Sequence, residues 1–247
     1  MNTHSLSLDL VLDVGNTRTK AALFRGHRLQ RTGAMVSNHG SALEEFLAGD
    51  RPDRIALGSV SAPDPWWEEH LRSLATTFLI TGSSKAPVRS AYATPLTLGV
   101  DRLANAVGAM AMFPGRPVLA IDLGTCITYD LVTSDGIYCG GAISPGMAMR
   151  SRAMNAYSAR LPLVDPPPGT ALMGDGTASS LASGVHHGIV HELEGFIGRL
   201  AHQYPGIAVV LTGGDGLRFA RALKSGIFAH PFLTLEGLHA ILLHQNA

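Results

Sequence analysis

Two glycine turns of one pattern, each opening Asp-x-Gly and closing on Thr, punctuate the chain, Asp13-Val14-Gly15-Asn16-Thr17 near its start and Asp122-Leu123-Gly124-Thr125 near its middle. Each follows a short apolar run, Leu8–Leu12 in one case and Pro117–Ile121 in the other. Each leads into a β-prone run and a second glycine turn, at Gly26 and Gly136. Apolar runs bounded by Gly, Asp and Asn read as strands joined by tight turns. One such turn is an ordinary hairpin. The same strand, Asp-x-Gly turn and returning strand made twice imply two related α/β lobes that face each other across a cleft. Glycine has no Cβ, so backbone N–H groups there can approach a phosphate chain closely. Nearby hydroxyls and amides add donors. The pair of turns therefore points to a nucleotide in the cleft.

Composition narrows the class. Slightly under half of the 247 residues are apolar, enough for two small packed lobes. Basic and acidic residues balance to zero net charge, and no basic run offers a track for a nucleic-acid backbone, which argues against nucleic acid as a partner. The two cysteines, Cys126 and Cys139, are too few for a disulfide scaffold and read as buried free thiols in a reducing compartment. No signal peptide is evident, and no window approaches the roughly 18 apolar residues of a membrane span. A soluble, cytoplasmic protein without a membrane partner is expected.

The order of elements follows from periodicity and breakers. Strands are expected at Thr19–Phe24, Arg54–Val60 (closed by Ser61-Ala62-Pro63) and Thr77–Ile80, with helices at Gly40–Leu47 and Trp66–Thr76. The pair Trp66-Trp67 reads as partly packed helix surface. Pro95–Gly99 is turn-like, and Asp101–Phe113 has helical spacing. Pro114-Gly115-Arg116-Pro117 breaks that helix, giving lobes 1–115 and 116–247. The second lobe should carry a strand at Val118–Ile121 and a helix at Met147–Ala159. An exposed linker follows at Pro166–Gly169, then a long helix from about Thr177 to His202 whose internal glycines permit close packing. A buried strand Ala208–Leu211, a helical stretch Leu217–Leu223 and a last helix Thr234–His244 complete it.

Among residues that could do chemistry, Asp13 is placed to hold a hydrated Mg²⁺, and Asn16, Thr17 and Thr125 can donate to phosphate oxygens. Lys20 adds charge if its side chain turns inward. There is no P-loop pattern and no dinucleotide fingerprint. The Thr212–Gly216 cluster between a strand and a helix allows close backbone approach but is weak alone. In Gly99-Val100-Asp101-Arg102, the residues by themselves favour Asp101 as a helix N-cap and Arg102 as a solvated side chain. The alternative is a carboxylate that accepts a hydroxyl proton beside an arginine that grips an anionic or polar substrate. His187 and His191 have metal-ligand spacing, but nothing else supports zinc.

Together the segments Asp13–Lys20, Gly99–Arg102, Asp122–Thr125, Gly140–Gly146 and Thr212–Asp215 resemble the type III pantothenate kinases. That family, also called Bvg accessory factor proteins, belongs to the acetate and sugar kinase, heat-shock ATPase and actin superfamily. The motifs occur in the family's order and span nearly the whole chain. The resemblance implies two ribonuclease H-like lobes of the actin-like ATPase fold. It implies transfer of the γ-phosphoryl group of ATP to the primary hydroxyl of pantothenate, the first step of coenzyme A synthesis.

It also implies roles by position. Asp13, Val14, Gly15, Asn16, Thr17, Arg18, Thr19 and Lys20 would line the ATP phosphates, with Asp13 toward Mg²⁺. Thr125 would contact ATP, and Asp122 would help bind a monovalent cation, potassium or ammonium. Gly99, Val100, Asp101 and Arg102 would hold pantothenate, with Asp101 as proton acceptor. Tyr92 and Thr177 would also reach substrate, in a site completed across a homodimer interface. Two other readings stand beside this one. One is a sugar or other small-alcohol kinase, which would usually be longer. The other is a non-catalytic regulatory accessory protein, for which zero net charge and the lack of a helix-turn-helix argue against direct DNA binding.

Overall fold

The computed structural model describes residues 6–15, 18–35, 40–59, 65–223 and 226–246. Two compact units result: residues 1–111 together with 232–247, and residues 112–231. The expected break at Pro114–Pro117 lies close to this division. The last helix, however, packs with the first unit, so the second lobe does not run to the C-terminus.

The first unit is built on strands β1 (Leu8–Val14), β2 (Thr19–Arg25), β3 (Arg28–Met35), β4 (Arg54–Ser59) and β5 (Thr76–Ile80), in the order β3-β2-β1-β4-β5. Strand β1 runs antiparallel to β2 and parallel to β4. Its residues are buried on both faces, as a central strand covered on each side must be. Alternation splits them. Leu8, Leu10, Leu12 and Val14 join Leu43 and Leu47 of α1 (Gly40–Leu47) and Trp67 and Leu71 of α2 (Pro65–Leu74) in one core. Trp67 is 1% exposed, a core residue and not the partly packed surface expected of it. The Ser61-Ala62-Pro63 break lies outside the described residues.

A two-residue strand, β6 (Arg89–Ser90), and a short 3₁₀ turn (Pro95–Thr97) precede α3 (Val100–Met112). After the second unit the chain returns in the helix α7 (Leu233–Gln245), which contacts β1, β2, β4 and β5. Its Leu233, Leu235, Leu238, Ile241 and Leu242 are at most 2% exposed, so it is apolar around much of its circumference and reads as a covered helix. Two glycines let α3 and α7 touch. A Cβ on Gly237 would sit 1.8 Å from the carbonyl oxygen of Ala104, and one on Gly108 would meet that of Leu233 at 2.8 Å.

The second unit repeats the plan with β7 (Val118–Leu123), β8 (Cys126–Val132), β9 (Ile137–Pro145), β10 (Ala208–Thr212) and β11 (Ile227–Ala229), in the order β9-β8-β7-β10-β11. Here β7 is antiparallel to β8 and parallel to β10, and β10 is parallel to β11. Position for position this is the arrangement around β1. The duplication inferred from the turns is therefore a duplication of sheet topology. Helix α4 (Met147–Ala156) and the long α5 (Thr177–Gln203) pack on one another, and α6 (Gly216–Ala220) follows β10. The core gathers Ile121, Tyr129, Val185, Ile189, Leu193, Leu211 and Phe219.

Several expectations fail here for physical reasons. The glycines of α5 do not mediate close packing within the chain: Gly184, Gly195 and Gly198 face open space, and Gly188 has only an ordinary contact with Arg150. The Pro166–Gly169 stretch is exposed at Pro167, Pro168 and Gly169 as expected, but it is anchored at Pro166, which is buried and whose carbonyl accepts a hydrogen bond from Arg218. The cysteines are free, but Cys126 is half-buried and Cys139 exposed.

Candidate active site

In the first unit the Asp13 turn leaves β1 just after its last buried residues. Asp13 is 8% exposed and pairs in register with Lys20 on β2, which brings the Lys20 Nζ to 3.9 Å from its Oδ2. The Gly15 N–H donates to the Arg18 carbonyl at 3.2 Å and closes the turn. Val14 and Thr19 are buried, so neither presents its side chain to solvent; Arg18 is exposed. Asn16 and Thr17 lie outside the described residues.

The Gly99–Arg102 segment forms the start of α3. The Gly99 carbonyl accepts from the Leu103 N–H at 3.2 Å, so Asp101 sits within the first turn and is not the N-cap. Its Oδ1 accepts the Arg102 N–H at 2.9 Å and stands where a Cβ on Gly99 would come to 2.4 Å. The carboxylate thus lies in the first turn of α3, at the positive end of the helix dipole. Arg102 is 5% exposed, against the solvated arginine that the residues alone favour. Its guanidinium lies 5.7 Å from the centroid of the Tyr92 ring, and Nη1 donates to the Tyr92 hydroxyl at 3.4 Å. The structure thus brings Tyr92, Asp101 and Arg102 together, with Gly99 supplying backbone. Val100 points into the core at 3% exposure.

In the second unit Asp122 occupies the place on β7 that Asp13 has on β1. Glycines crowd it: a Cβ on Gly124 would lie 3.1 Å from its Oδ1, and one on Gly213 would lie 2.4 Å away. Gly213 has φ +87°, a left-handed conformation suited to glycine. Opposite Asp122 in register is Thr212, 1% exposed, whose Oγ1 is buried without a hydrogen-bond partner. The Gly124 N–H donates to the Cys126 carbonyl at 3.0 Å, leaving Thr125 exposed at the tip of the turn. The loop after β10 is pinned by the Asp215 N–H on the Leu123 carbonyl at 3.0 Å. Burial raises the Asp215 carboxyl above its ordinary range, Arg218 opposes this, and Asp165 adds to it.

Thr177 is the first residue of α5 and is exposed. Gly176 is the N-cap, and its N–H donates to Ser179 Oγ at 2.9 Å, so Thr177 itself caps nothing. With Met154, Leu161, Ser180, Leu181 and Gly184 it lines a cavity of about 410 Å³. His187 hydrogen-bonds the Thr170 carbonyl at 3.0 Å, and among the described residues no three His, Cys, Asp or Glu side chains gather as a metal site.

These residues fit the cations that the resemblance implies. A mostly buried carboxylate at Asp13, with Lys20 Nζ 3.9 Å away, suits Mg²⁺ held through its waters, since Mg²⁺ gives up its hydration reluctantly. Asp122 beside the unpartnered Thr212 hydroxyl offers hard oxygen donors in a space that side chains at Gly124 and Gly213 would fill.

Sequence reasoning missed two polar groupings, one buried and one partly buried. Asp9, 0% exposed, accepts two hydrogen bonds from Arg54 and one contact from His239. Glu192 of α5 gathers Tyr129, Ser144 and Arg150. The available signal was a charged residue interrupting an apolar run, as in Leu8-Asp9-Leu10.

Comparison with known proteins decides the family. The profile of type III pantothenate kinase matches residues 9–199. The chain belongs to that family. A type III pantothenate kinase of Porphyromonas gingivalis is 39% identical over 241 residues, covering 96% of this chain and 98% of its own. Among solved structures, a protein of Campylobacter jejuni described as a Baf family transcriptional activator superposes with a TM-score of 0.60 at 21% identity, over 96% of this chain and 98% of its own. A ROK family glucokinase of Streptomyces griseus, in complex with glucose and AMPPNP, gives 0.52 at 15% identity, over 96% and 99%. The fold is that of the actin-like ATPases and sugar kinases, as the duplicated sheets require.

Proposed function

We propose that this type III pantothenate kinase transfers the γ-phosphoryl group of ATP to the primary hydroxyl of pantothenate, opening coenzyme A synthesis. The observation that carries the reading is the joining of Tyr92, Arg102 and Asp101 at the N-terminus of α3 in a chain of this family. Arg102, already desolvated and steadied by Tyr92, supplies a fixed positive charge for the pantothenate carboxylate or its amide oxygens. Gly99 allows the substrate chain to approach the backbone.

Asp101 accepts the proton of the attacking hydroxyl. As the hydroxyl oxygen bonds to the γ-phosphorus, the bond from that phosphorus to the β,γ-bridging oxygen breaks and ADP departs. Phosphoryl transfer relies on positioning and charge neutralisation more than on a strong base, so a first-turn aspartate suffices. Asp13 would hold hydrated Mg²⁺ and Lys20 adds positive charge beside it, with the backbone at Val14, Gly15, Arg18 and Thr19 toward the phosphates. Thr125 donates to ATP, and Asp122 with Thr212 would hold potassium or ammonium. When bound, the cations neutralise phosphate charge.

The active species is a homodimer in which Thr177 serves pantothenate. Support comes from the exposed apolar side chains of Met149, Tyr157, Leu163, Leu172 and Met173 in the same unit as Thr177. We place the enzyme in the cytoplasm, consistent with free cysteines; no described helix is long and apolar enough to cross a membrane. Purified protein with Mg²⁺, ATP and potassium or ammonium is expected to form phosphopantothenate. No product under any of these cation conditions overturns the reading, as does equal turnover of sugars or other small alcohols.

A further inference from the structure

The carboxylate of Glu192 lies in the middle of α5, about four turns along the helix from Thr177 at its start. Its Oε1 accepts from the Tyr129 hydroxyl of β8 at 2.8 Å and from Ser144 Oγ of β9 at 2.5 Å. Its Oε2 accepts from the Arg150 guanidinium of α4. Four elements of the second unit therefore meet on one side chain. Burial works against the charged form, yet the hydrogen bonds from Ser144, Arg150 and Tyr129 outweigh it and hold the Glu192 carboxyl below its ordinary range. Tyr129 is pushed well above the usual phenol value by burial and by its bond to Glu192, so it remains a donor.

What this grouping holds is the segment Ser144-Pro145-Gly146. Ser144 is tied directly. Arg150, fixed by Glu192, also donates from Nε to the Pro145 carbonyl at 2.8 Å. The next residue, Gly146, gives its N–H to the Thr125 carbonyl at 3.1 Å. Gly146 stands so close to the turn that a Cβ would come within 2.3 Å of the Gly124 oxygen and 2.6 Å of the Thr125 oxygen. Any shift of Ser144–Gly146 is thus passed to Gly124 and Thr125 by direct backbone contact.

We infer that Glu192 is a positioning residue for the Gly124–Thr125 turn, acting through Ser144, Arg150 and Gly146, and so sets the affinity of that turn for the ATP phosphates. The inference rests on the reading of Thr125 as an ATP contact. Residues distant from the reacting atoms can matter strongly, because a displacement of about 1 Å at a contact can cost about a hundredfold in rate.

The test is steady-state kinetics of Glu192→Gln, which keeps the shape but loses the charge, and of the milder Ser144→Ala should the first not fold. Thr125→Ala and the double variant Thr125→Ala/Glu192→Gln complete a cycle. The KM for ATP is expected to rise roughly tenfold in Glu192→Gln while that for pantothenate stays within about twofold. The rise should be much smaller in the Thr125→Ala background, because the two substitutions act on one contact. If Thr125→Ala raises the KM for ATP but Glu192→Gln and Ser144→Ala only lower the thermal midpoint, the positioning role is overturned. If Thr125→Ala itself leaves the KM for ATP unchanged, the assignment of Thr125 fails, and the inference with it.

Discussion

His239 Nε2 lies 2.9 Å from Oδ2 of Asp9, joining the last helix of the chain to the strand that opens it. Arg54 completes the grouping, with Nε 2.8 Å from Oδ1 and Nη2 2.7 Å from Oδ2, and the ring of Phe24 stacks on His239 at 4.0 Å between centroids. Removing one partner of such a buried pair strands the others. Asp9→Asn is therefore expected to cost about 3 kcal/mol, at the low end for buried pairs because Arg54 is partly exposed. Chemical denaturation of the two proteins at neutral pH measures it, and a difference within experimental error would refute the account.

The same grouping sets a pH dependence. Burial opposes the charged form of Asp9, but the hydrogen bonds from His239 and Arg54 outweigh it and lower the native value below the ordinary 3.8. The group thus binds protons less readily folded than unfolded, so its stabilisation is present above 3.8 and disappears as pH falls through the lower native value. The stability gap between wild type and Asp9→Asn should narrow as pH falls below the ordinary carboxylate range. A gap that kept widening below that range would contradict this sign.

The proposed mechanism gives the neighbours Asp101 and Arg102 separable duties. Asp101→Asn keeps the bond to the Arg102 N–H but cannot accept the hydroxyl proton, so kcat should fall by about 10² to 10⁴ with little change in either KM. Arg102→Lys keeps the charge but loses the planar fork and the contact with Tyr92, so the KM for pantothenate should rise by about tenfold or more while that for ATP holds. If Asp101→Asn retains near-normal kcat, another group takes the proton.

Much of this arrangement could be read in the residues, and what could not has a common cause. The paired turns announced the duplicated strand–turn–strand because Gly and Asp at Gly15, Gly124, Asp13 and Asp122 leave local traces. The strands β1, β4, β7 and β10 and the helix α5 showed as apolar periods. Strand β11 did not, being three residues long and held by pairing with β10 and not by its own pattern. Helix α7 was visible as a helix, but its membership of the first unit depends on contacts with β1 and on Gly108 meeting Leu233, which no local window contains. Arg102 was misjudged for the same reason. Its burial comes from tertiary packing and from Tyr92, not from its neighbours in sequence. Glu192 looked like one more charge on a helix, and only the folded chain shows that it faces Tyr129, Ser144 and Arg150.

Gly213 offers a test of the cation assignment. Its φ of +87° already disfavours any side chain, and an added Cβ would stand 2.4 Å from Asp122 Oδ1. Gly213→Ala should therefore displace that carboxylate from Thr212. The concentration of potassium or ammonium giving half-maximal activity should rise by about tenfold, with a smaller change in kcat at saturating cation. An unchanged cation requirement would place the ion elsewhere.

The crossing of α3 and α7 gives a purely structural prediction. A methyl group on Gly237 would stand 1.8 Å from the Ala104 carbonyl oxygen, and because the Cβ position is fixed by its own backbone and the oxygen is itself backbone, no rotamer change relieves the clash. The helices must separate, or α7 must slide along the sheet and loosen Leu235, Leu238, Ile241 and Leu242 from their fully packed sites. Overpacking of this kind costs about 1–3 kcal/mol or more. Gly184→Ala on α5 is the matched control: that position faces open space, and alanine there improves helix propensity by about 1 kcal/mol. Thermal midpoints should fall for Gly237→Ala and stay level or rise for Gly184→Ala. Equal shifts in the two variants would mean that close backbone approach is not what fixes α7 against α3.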